Sequence, residues 1–198
     1  MPLSVHALTP KLLDVYLQFF DGDAFADNPD WGKCYCNFPH HDHAAGTWRG
    51  PLAGENRAAV VQRICAGTMH GHLAEIDGKV AGWCQAAPRL SFLALRSEPD
   101  PENDASRTGS IVCFVVAKPY RGQGVAKALL AAACEHFRQQ GLTFAEAYPR
   151  KTAESEAENH FGPLAMYLGM GFVPYREDDD TIIVRRALGD TDKRTQQA

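Results

Sequence analysis

The chain has 198 residues, of which 45% are hydrophobic and 22% charged, and its formal net charge is −4. These values are typical of one soluble globular domain with a sizeable core, and a weakly acidic chain does not favour a nucleic-acid partner. Because no run of about 18 apolar residues is present, we expect neither a membrane span nor a membrane partner.

The N-terminus and the cysteines bear on the cellular compartment. The first twenty residues lack the basic start, the unbroken apolar stretch and the cleavage site of a signal peptide. Six cysteines in a chain of this length, without an export signal, indicate reduced thiols rather than a disulfide framework. We therefore predict a cytoplasmic protein, with residues 1–188 as one domain and residues 189–198 as a disordered tail.

The first half of the chain predicts two helices and a hairpin. A first helix is expected to start at Thr9-Pro10, and a second fits 55–66. Two predicted strands, 72–76 and 79–85, flank Asp77-Gly78, which is a common hairpin turn. The polar stretch that follows, 89–108, is expected to form a surface loop.

The second half predicts a βαβ unit and a closing strand. A continuous apolar run, 110–116, is typical of a buried central strand. A glycine-containing turn at 118–124, a helix at 125–140 that Gly141 ends, and a strand at 142–148 complete the unit. A short helix at 163–168 and a last strand at 181–185 follow.

The turn before the long helix has the chemistry of a diphosphate cradle. The first amides of a helix have no partner within the helix, and the helix dipole adds partial positive charge there. Gly122 and Gly124 have no side chains, so the backbone of the turn is open to an incoming anion. The turn differs from a P-loop and from Gly-x-Gly-x-x-Gly, because Lys127 stands where the third glycine would be.

Two motifs identify a family resemblance. Arg121-x-x-Gly124-x-Ala126 resembles the (Gln/Arg)-x-x-Gly-x-(Gly/Ala) signature of the GNAT superfamily of acyl-CoA N-acyltransferases, and Tyr167 to Phe172 resembles its later Tyr-x-x-x-Gly-Phe pattern. The resemblance covers roughly 73–185. It implies an α/β fold with a mixed, mostly antiparallel twisted sheet and helices on both faces. It also implies acetyl-CoA as cosubstrate and direct acetyl transfer to a primary amine.

The resemblance assigns roles to particular residues. The pantetheine arm would pair with the main chain of Phe114, Val115 and Val116. The amides of the turn would hold the pyrophosphate, from residues Gly122, Gln123, Gly124, Val125, Ala126 and Lys127. Arg121 either binds phosphate through its side chain or is solvated. Tyr167 would protonate the leaving thiolate, and Asn159 falls near an asparagine that contacts the cofactor in many relatives.

The general base stays open at this point. Some relatives carry a glutamate at the start of the central strand, where this chain has Thr108-Gly109-Ser110. Glu146 and His160 are the candidates for taking the proton of the amine. Alternatively, Glu146 pairs with a basic neighbour, His160 packs, and water carries the proton.

Aromatic residues before the second helix are the candidate acceptor contacts. Trp31, Tyr35 and Phe38 are expected to line the pocket, and Trp83 is a further candidate, although an indole in a strand is more commonly core. A zinc site is the less favoured interpretation, because its Cys-x-Cys spacing is unusual and no second ligand pair follows; its ligands would be Cys34, Cys36, His40, His41 and His43. We therefore assign no metal.

Other activities are weighed against the small-molecule acetyltransferase. Cys84 and Cys113 could act as acyl-carrying nucleophiles, but no activating neighbour is visible, so buried thiols are the better interpretation. A non-catalytic acyl-CoA-binding domain and a protein N-terminal or lysine acetyltransferase remain alternatives. The acceptor and the oligomeric state are left open, with a homodimer among the options.

Overall fold

The computed structural model describes residues 2–41, 53–153, 155 and 158–189. Seven strands form one sheet, and they are β1 (Leu3–Ala7), β2 (Gly71–Ile76), β3 (Lys79–Pro88), β4 (Thr108–Val116), β5 (Phe144–Ala147), β6 (Val173–Glu177) and β7 (Ile182–Ala187). The α-helices are α1 (Leu13–Asp21), α2 (Ala53–Cys65), α3 (Val125–Gln139) and α4 (Leu164–Leu168). None of the helices within these ranges has the length and apolar character to span a bilayer.

The sheet is mixed and mostly antiparallel. Its strand order is β1-β2-β3-β4-β5-β7-β6, and β4 with β5 is the parallel pair among antiparallel neighbours. The parallel pair is the one joined by a crossover helix, α3, as the predicted βαβ unit requires. The predicted fold class is therefore confirmed.

Alternating side chains of the central strands build a core on each face of the sheet. On one face, Leu73 and Trp83 pack with buried residues of α1 and α2. On the other, Ala74 and Cys84 pack with Leu129 of α3 and with residues of α4. Because successive residues of a strand point to opposite faces, the apolar central strands bury both faces, and helices cover each.

The two edge strands β1 and β6 were missed by the sequence analysis. Leu3–Ala7 has an exposed alternating pattern, and β6 contains Pro174 and begins at the exposed residue Val173. Short, polar strands of this kind form because a neighbouring strand offers its hydrogen bonds, which local patterning does not reveal.

The prediction of a surface loop at 89–108 is partly wrong. It contains short 3₁₀ turns, and Arg89, Phe92 and Asp104 are each no more than 2% exposed. The two charged side chains are buried because they join an ion-pair network with Glu146 and Arg185. A charged residue can be buried when it is paired, and the partners here come from distant parts of the chain.

Two buried histidines predict an acid-sensitive fold. Burial lowers the pKa of both His40 and His72 to about 4 from an ordinary value near 6.5. Between these values the unfolded chain binds more protons, so the free energy of unfolding should fall as the pH drops from 6.5 towards 4. At pH 5 the loss is about 2 kcal/mol for each histidine.

Denaturant unfolding at pH 7 and pH 5 measures this loss. A variant carrying His40→Gln and His72→Gln should show a flatter dependence on pH than the unmodified protein. Equal slopes for the two proteins would contradict the assignment to these side chains.

Candidate active site

The main cleft opens where β4 and β5 separate. The two strands pair from Thr108–Phe144 to Ile111–Ala147, and β4 then continues to Val116 without β5 beside it. The whole stretch from Val112 to Val116 lines the cleft, which has a volume of about 1560 Å³. Sites for one small ligand usually occupy about 300–1,000 Å³. The cleft is therefore large enough for an extended cosubstrate together with an acceptor.

The predicted glycine turn lies at one end of this cleft. Gly122 and Gly124 have φ angles of 73° and 83°, in the left-handed region that glycine adopts without strain, and no other atom lies within 4 Å of the positions where their Cβ atoms would be. The N–H of Ala128 makes the first bond of α3 to the carbonyl of Gly124. The preceding amides are thus the helix donors that can bind an anion.

Arg121 and Gln123 use their side chains to hold the turn in place. The Arg121 guanidinium donates to both carboxylate oxygens of Asp27, at 2.7 and 3.1 Å, and to the Val116 carbonyl at 3.0 Å. The hydrogen bond from Arg121 lowers the pKa of the Asp27 carboxyl below its ordinary value. The side-chain amide of Gln123 donates to the Pro119 carbonyl at 2.7 Å. Arg121 also lines the cleft, but its guanidinium is engaged by Asp27, whereas the turn residues Gly122 and Gly124 present only backbone there.

Residues 23–41, here called the 23–41 segment, form a second wall of the cleft. Trp31 and Phe38 line the cleft and are 38% and 39% exposed. The Trp31 ring lies 5.4 Å from the ring of His160, measured between centroids. These two predicted acceptor contacts therefore lie in the cleft.

Tyr35 and Trp83 lie elsewhere. The Tyr35 hydroxyl donates to Asp21 at 2.6 Å, and its ring packs beside Phe20 on the far side of the segment. Trp83 is fully buried and packs edge-on against Tyr16. Their positions do not support substrate contact, because both side chains point into the core formed with α1.

Asn159 and His160 reach the cleft through a short 3₁₀ turn, Glu158–Phe161, that packs beside β4. Both residues line the cleft, and the His160 ring also contacts the ring of Phe161 at 4.2 Å. The structure thus brings together His160, Trp31 and the unpaired edge of β4.

Tyr167 lies directly behind the cleft wall. It is fully buried, and its hydroxyl donates to the Phe161 carbonyl at 2.5 Å. A Cβ added at Gly162, which lines the cleft, would lie 3.0 Å from this hydroxyl. Burial raises the pKa of the Tyr167 phenol well above its ordinary value, so it remains protonated at neutral pH.

Glu146 lies beneath the cleft in a buried charge network. One of its oxygens accepts from Arg185 at 2.7 Å, and the other accepts from the Tyr148 hydroxyl at 2.8 Å. Arg89 approaches the same carboxylate at 3.6 Å. Glu146 therefore pairs with basic neighbours, which was the alternative to its role as a base. His160, the other candidate base, lines the cleft.

Tyr148 is a cleft residue that the sequence analysis missed. It follows the last residue of β5, lines the cleft, and also forms a hydrogen bond with Ser110 of β4 at 2.8 Å. Its place at the end of the strand was a usable signal, because residues at the end of a strand that separates from its neighbour face the opening. Tyr148 ties β4 and β5 together where they begin to separate.

The cluster of cysteines and histidines does not form a metal centre in the part of the chain that the structure describes. No group of three or more potential ligands is suitably placed there. His40 is buried and its Nε2 lies 3.0 Å from the side-chain nitrogen of Gln85. His43 lies outside the described residues.

The fold and the cleft define a class of protein. An unpaired strand edge can bind an extended arm, the start of α3 can bind its phosphates, and the cleft has room for an acceptor beside them. This is the arrangement of an acyl-CoA-dependent transferase. Residues 25–172 match the model of the acetyltransferase (GNAT) family, and the chain belongs to this family. Membership confirms the predicted resemblance, the acyl-CoA-dependent N-acetyltransferase class and the predicted cosubstrate.

Solved structures of similar fold agree with this assignment. An N-acetyltransferase from Staphylococcus aureus Mu50 aligns with a TM-score of 0.57 and 14% identity over 96% of this chain and 100% of that chain. An N-acetyltransferase from Thermoplasma acidophilum, solved with coenzyme A, aligns with a TM-score of 0.57 and 12% identity over 94% of this chain and 99% of that chain. The Escherichia coli ribosomal-protein-S18-alanine N-acetyltransferase aligns with a TM-score of 0.51 and 14% identity over 98% of each chain. Among curated proteins, none matches the sequence significantly.

Proposed function

We propose that this protein transfers the acetyl group of acetyl-CoA directly to the primary amine of a small molecule. The observation that carries the proposal is the pair formed by Trp31 and His160, whose ring centroids lie 5.4 Å apart and which line the same cleft. Aromatic rings that line the cleft offer apolar contacts to an acceptor, and sites for small molecules are usually lined in this way.

The cosubstrate is proposed to lie along the unpaired edge of β4. Phe114, Val115 and Val116 would pair with the pantetheine arm as an added strand does. The amides from Gly122 to Lys127 would bind the pyrophosphate, and Asn159 would contact the arm from the opposite side. Bound coenzyme A in the Thermoplasma neighbour shows that this fold holds the ligand in that protein.

The proposed reaction needs a neutral amine and a protonated leaving group. His160 is the proposed base, because of the two sequence candidates it is the one that lines the cleft. A backbone N–H of β4 would donate to the thioester oxygen as negative charge develops there. The Tyr167 hydroxyl, close behind Gly162, would turn from the Phe161 carbonyl to donate a proton or a hydrogen bond to the departing thiolate.

Replacing Tyr167 with phenylalanine tests that last role. The ring and its packing are kept, but the hydroxyl is lost, so we expect kcat to fall about tenfold to a hundredfold with little change in acetyl-CoA affinity. Steady-state kinetics and calorimetric titration give the two values. Tyr175→Phe is the matched control, because it also removes one phenolic hydroxyl, from a residue of β6 that does not line the cleft. Unchanged kcat in Tyr167→Phe would contradict the acid role.

A competition between amine classes tests the proposed function. Purified protein and acetyl-CoA are incubated with polyamines, amino acids and aminoglycosides, or with peptides carrying a free N-terminus or lysine, and acetylated products are identified by mass spectrometry. We expect at least one small amine to exceed every peptide about a hundredfold in kcat/KM. A preference for peptides would favour the protein acetyltransferase. Tight acetyl-CoA binding without transfer to any amine would favour the non-catalytic domain.

Two further points concern the cellular location and the oligomeric state of the protein. A cytoplasmic location stays a prediction, and a homodimer stays one of the options for the oligomeric state. Cell fractionation and light scattering of the purified protein test them, and export of the protein or a single monomeric mass would contradict them.

A further inference from the structure

Two thiols meet in the wall of the cleft. The Sγ atoms of Cys36 and Cys113 lie 3.3 Å apart, although the residues are separated by 77 positions in the chain. Cys36 belongs to the 23–41 segment and Cys113 to β4, and both line the cleft while being 3% and 9% exposed. The pair joins the two walls between which the cosubstrate is proposed to lie.

The backbone around Cys36 is held in an unusual conformation that produces this contact. Tyr35 and Cys36 have φ angles of 48° and 52°, in the left-handed region that costs non-glycine residues about 1 kcal/mol or more. The fully buried Tyr16 hydroxyl donates to the Tyr35 carbonyl at 2.8 Å and fixes that peptide. The fold thus maintains two consecutive strained residues, and the result is a thiol directed at another thiol.

The distance between the sulfurs is that of two thiols in contact, either of which can donate its S–H to the other. No suitable group of three metal ligands is found in the described ranges. A disulfide needs the sulfurs at about 2.05 Å, so an approach of roughly 1.3 Å would suffice. The Cys36 side chain would supply this movement together with a small shift of the turn that carries it, whereas β4 is fixed by its pairing with β3.

We propose that Cys36 and Cys113 are a site of reversible oxidation by hydroperoxides, and that their disulfide clamps the 23–41 segment onto β4. One thiolate attacks the peroxide, whose O–O bond breaks, giving a sulfenic acid and an alcohol or water. The second thiol then attacks the sulfenic sulfur, which forms the S–S bond and releases water. The two sulfurs together lose two electrons, and the peroxide gains them. A dithiol reductant reverses the reaction.

Peptide mapping by mass spectrometry is the first experiment. The purified protein is treated with a large excess of hydrogen peroxide over several hours, because burial raises the pKa of the Cys36 thiol and keeps the thiolate fraction small. We expect a Cys36–Cys113 linked peptide, a loss of two titratable thiols and full reversal by dithiothreitol. The linked peptide should persist in Cys34→Ser, a neighbouring thiol in the same segment, and vanish in Cys36→Ser. A pair that stays reduced while the exposed Cys65 oxidises, or a bridge to Cys34 instead, would overturn the proposal.

Limited proteolysis tests the clamp without depending on acetyl transfer. Lys33 lies in the 23–41 segment with a side chain 64% exposed, so trypsin cleavage after it reports on how firmly the segment is held. We expect cleavage to be at least fivefold slower in the oxidised protein than in the reduced one. Equal rates would show that the bond does not restrain the segment, and this result would stand whatever amine the enzyme acetylates.

Discussion

Replacing Gly124 with aspartate is expected to weaken acetyl-CoA binding at least a hundredfold, which corresponds to about 2.8 kcal/mol. Gly124 has a φ angle of 83° and immediately precedes α3. A side-chain carboxylate here would accept the amides at the start of the helix, which are the donors proposed for the pyrophosphate. It would also place a negative charge beside the ligand's phosphates.

Gly141→Asp is the matched control for this substitution. Gly141 follows the other end of α3, has a φ angle of 76°, and has no other atom within 4 Å of the position of an added Cβ. The two variants therefore carry similar backbone strain and the same added charge. Calorimetric titration should show the control within about threefold of the unmodified protein. A comparable loss in both variants would mean that strain in α3, and not the anion cradle, accounts for the effect.

Replacing Arg185 with methionine is expected to destabilise the fold by about 3–5 kcal/mol. The guanidinium donates to Asp104 at 2.6 Å and to Glu146 at 2.7 Å, and each of these carboxylates is 1% exposed. Methionine keeps much of the volume but leaves two buried negative charges, with Arg89 at 3.6 Å from Glu146 as the remaining cation. Removing one partner from a buried network costs more than the network's net contribution, because the charges left behind lose both water and partner.

Arg138→Met is the comparison on the surface. Arg138 pairs with Glu135 at 2.6 Å on α3, and the two side chains are 32% and 47% exposed. Water screens such a pair, so we expect a loss of no more than about 1 kcal/mol. Chemical denaturation measures both variants. A loss below 1 kcal/mol in Arg185→Met would contradict this account, because it would show that the buried network tolerates an unpaired carboxylate.

The sequence by itself determined the central unit of the fold and located one half of the candidate site. Strand β4, the glycine turn, α3 and the cap at Gly141 follow from a continuous apolar run, a helical pattern and glycines at the required positions. All these signals lie within about thirty residues, where local preferences decide the structure. The cradle at Gly122 and Gly124 belongs to this set, because its amides come from consecutive residues.

Only the tertiary structure decided how the other half of the site is built. Trp31 reaches His160, Glu146 meets Arg185, and Cys36 meets Cys113, in each case across tens of residues of chain. Such contacts depend on where β5 leaves β4 and on how the 23–41 segment packs, and no periodicity in the sequence encodes either. Strand pairing and helix packing set the neighbours of a side chain, and its own residue type does not. For this reason Trp83 lies in the core and Glu146 lies beneath the cleft.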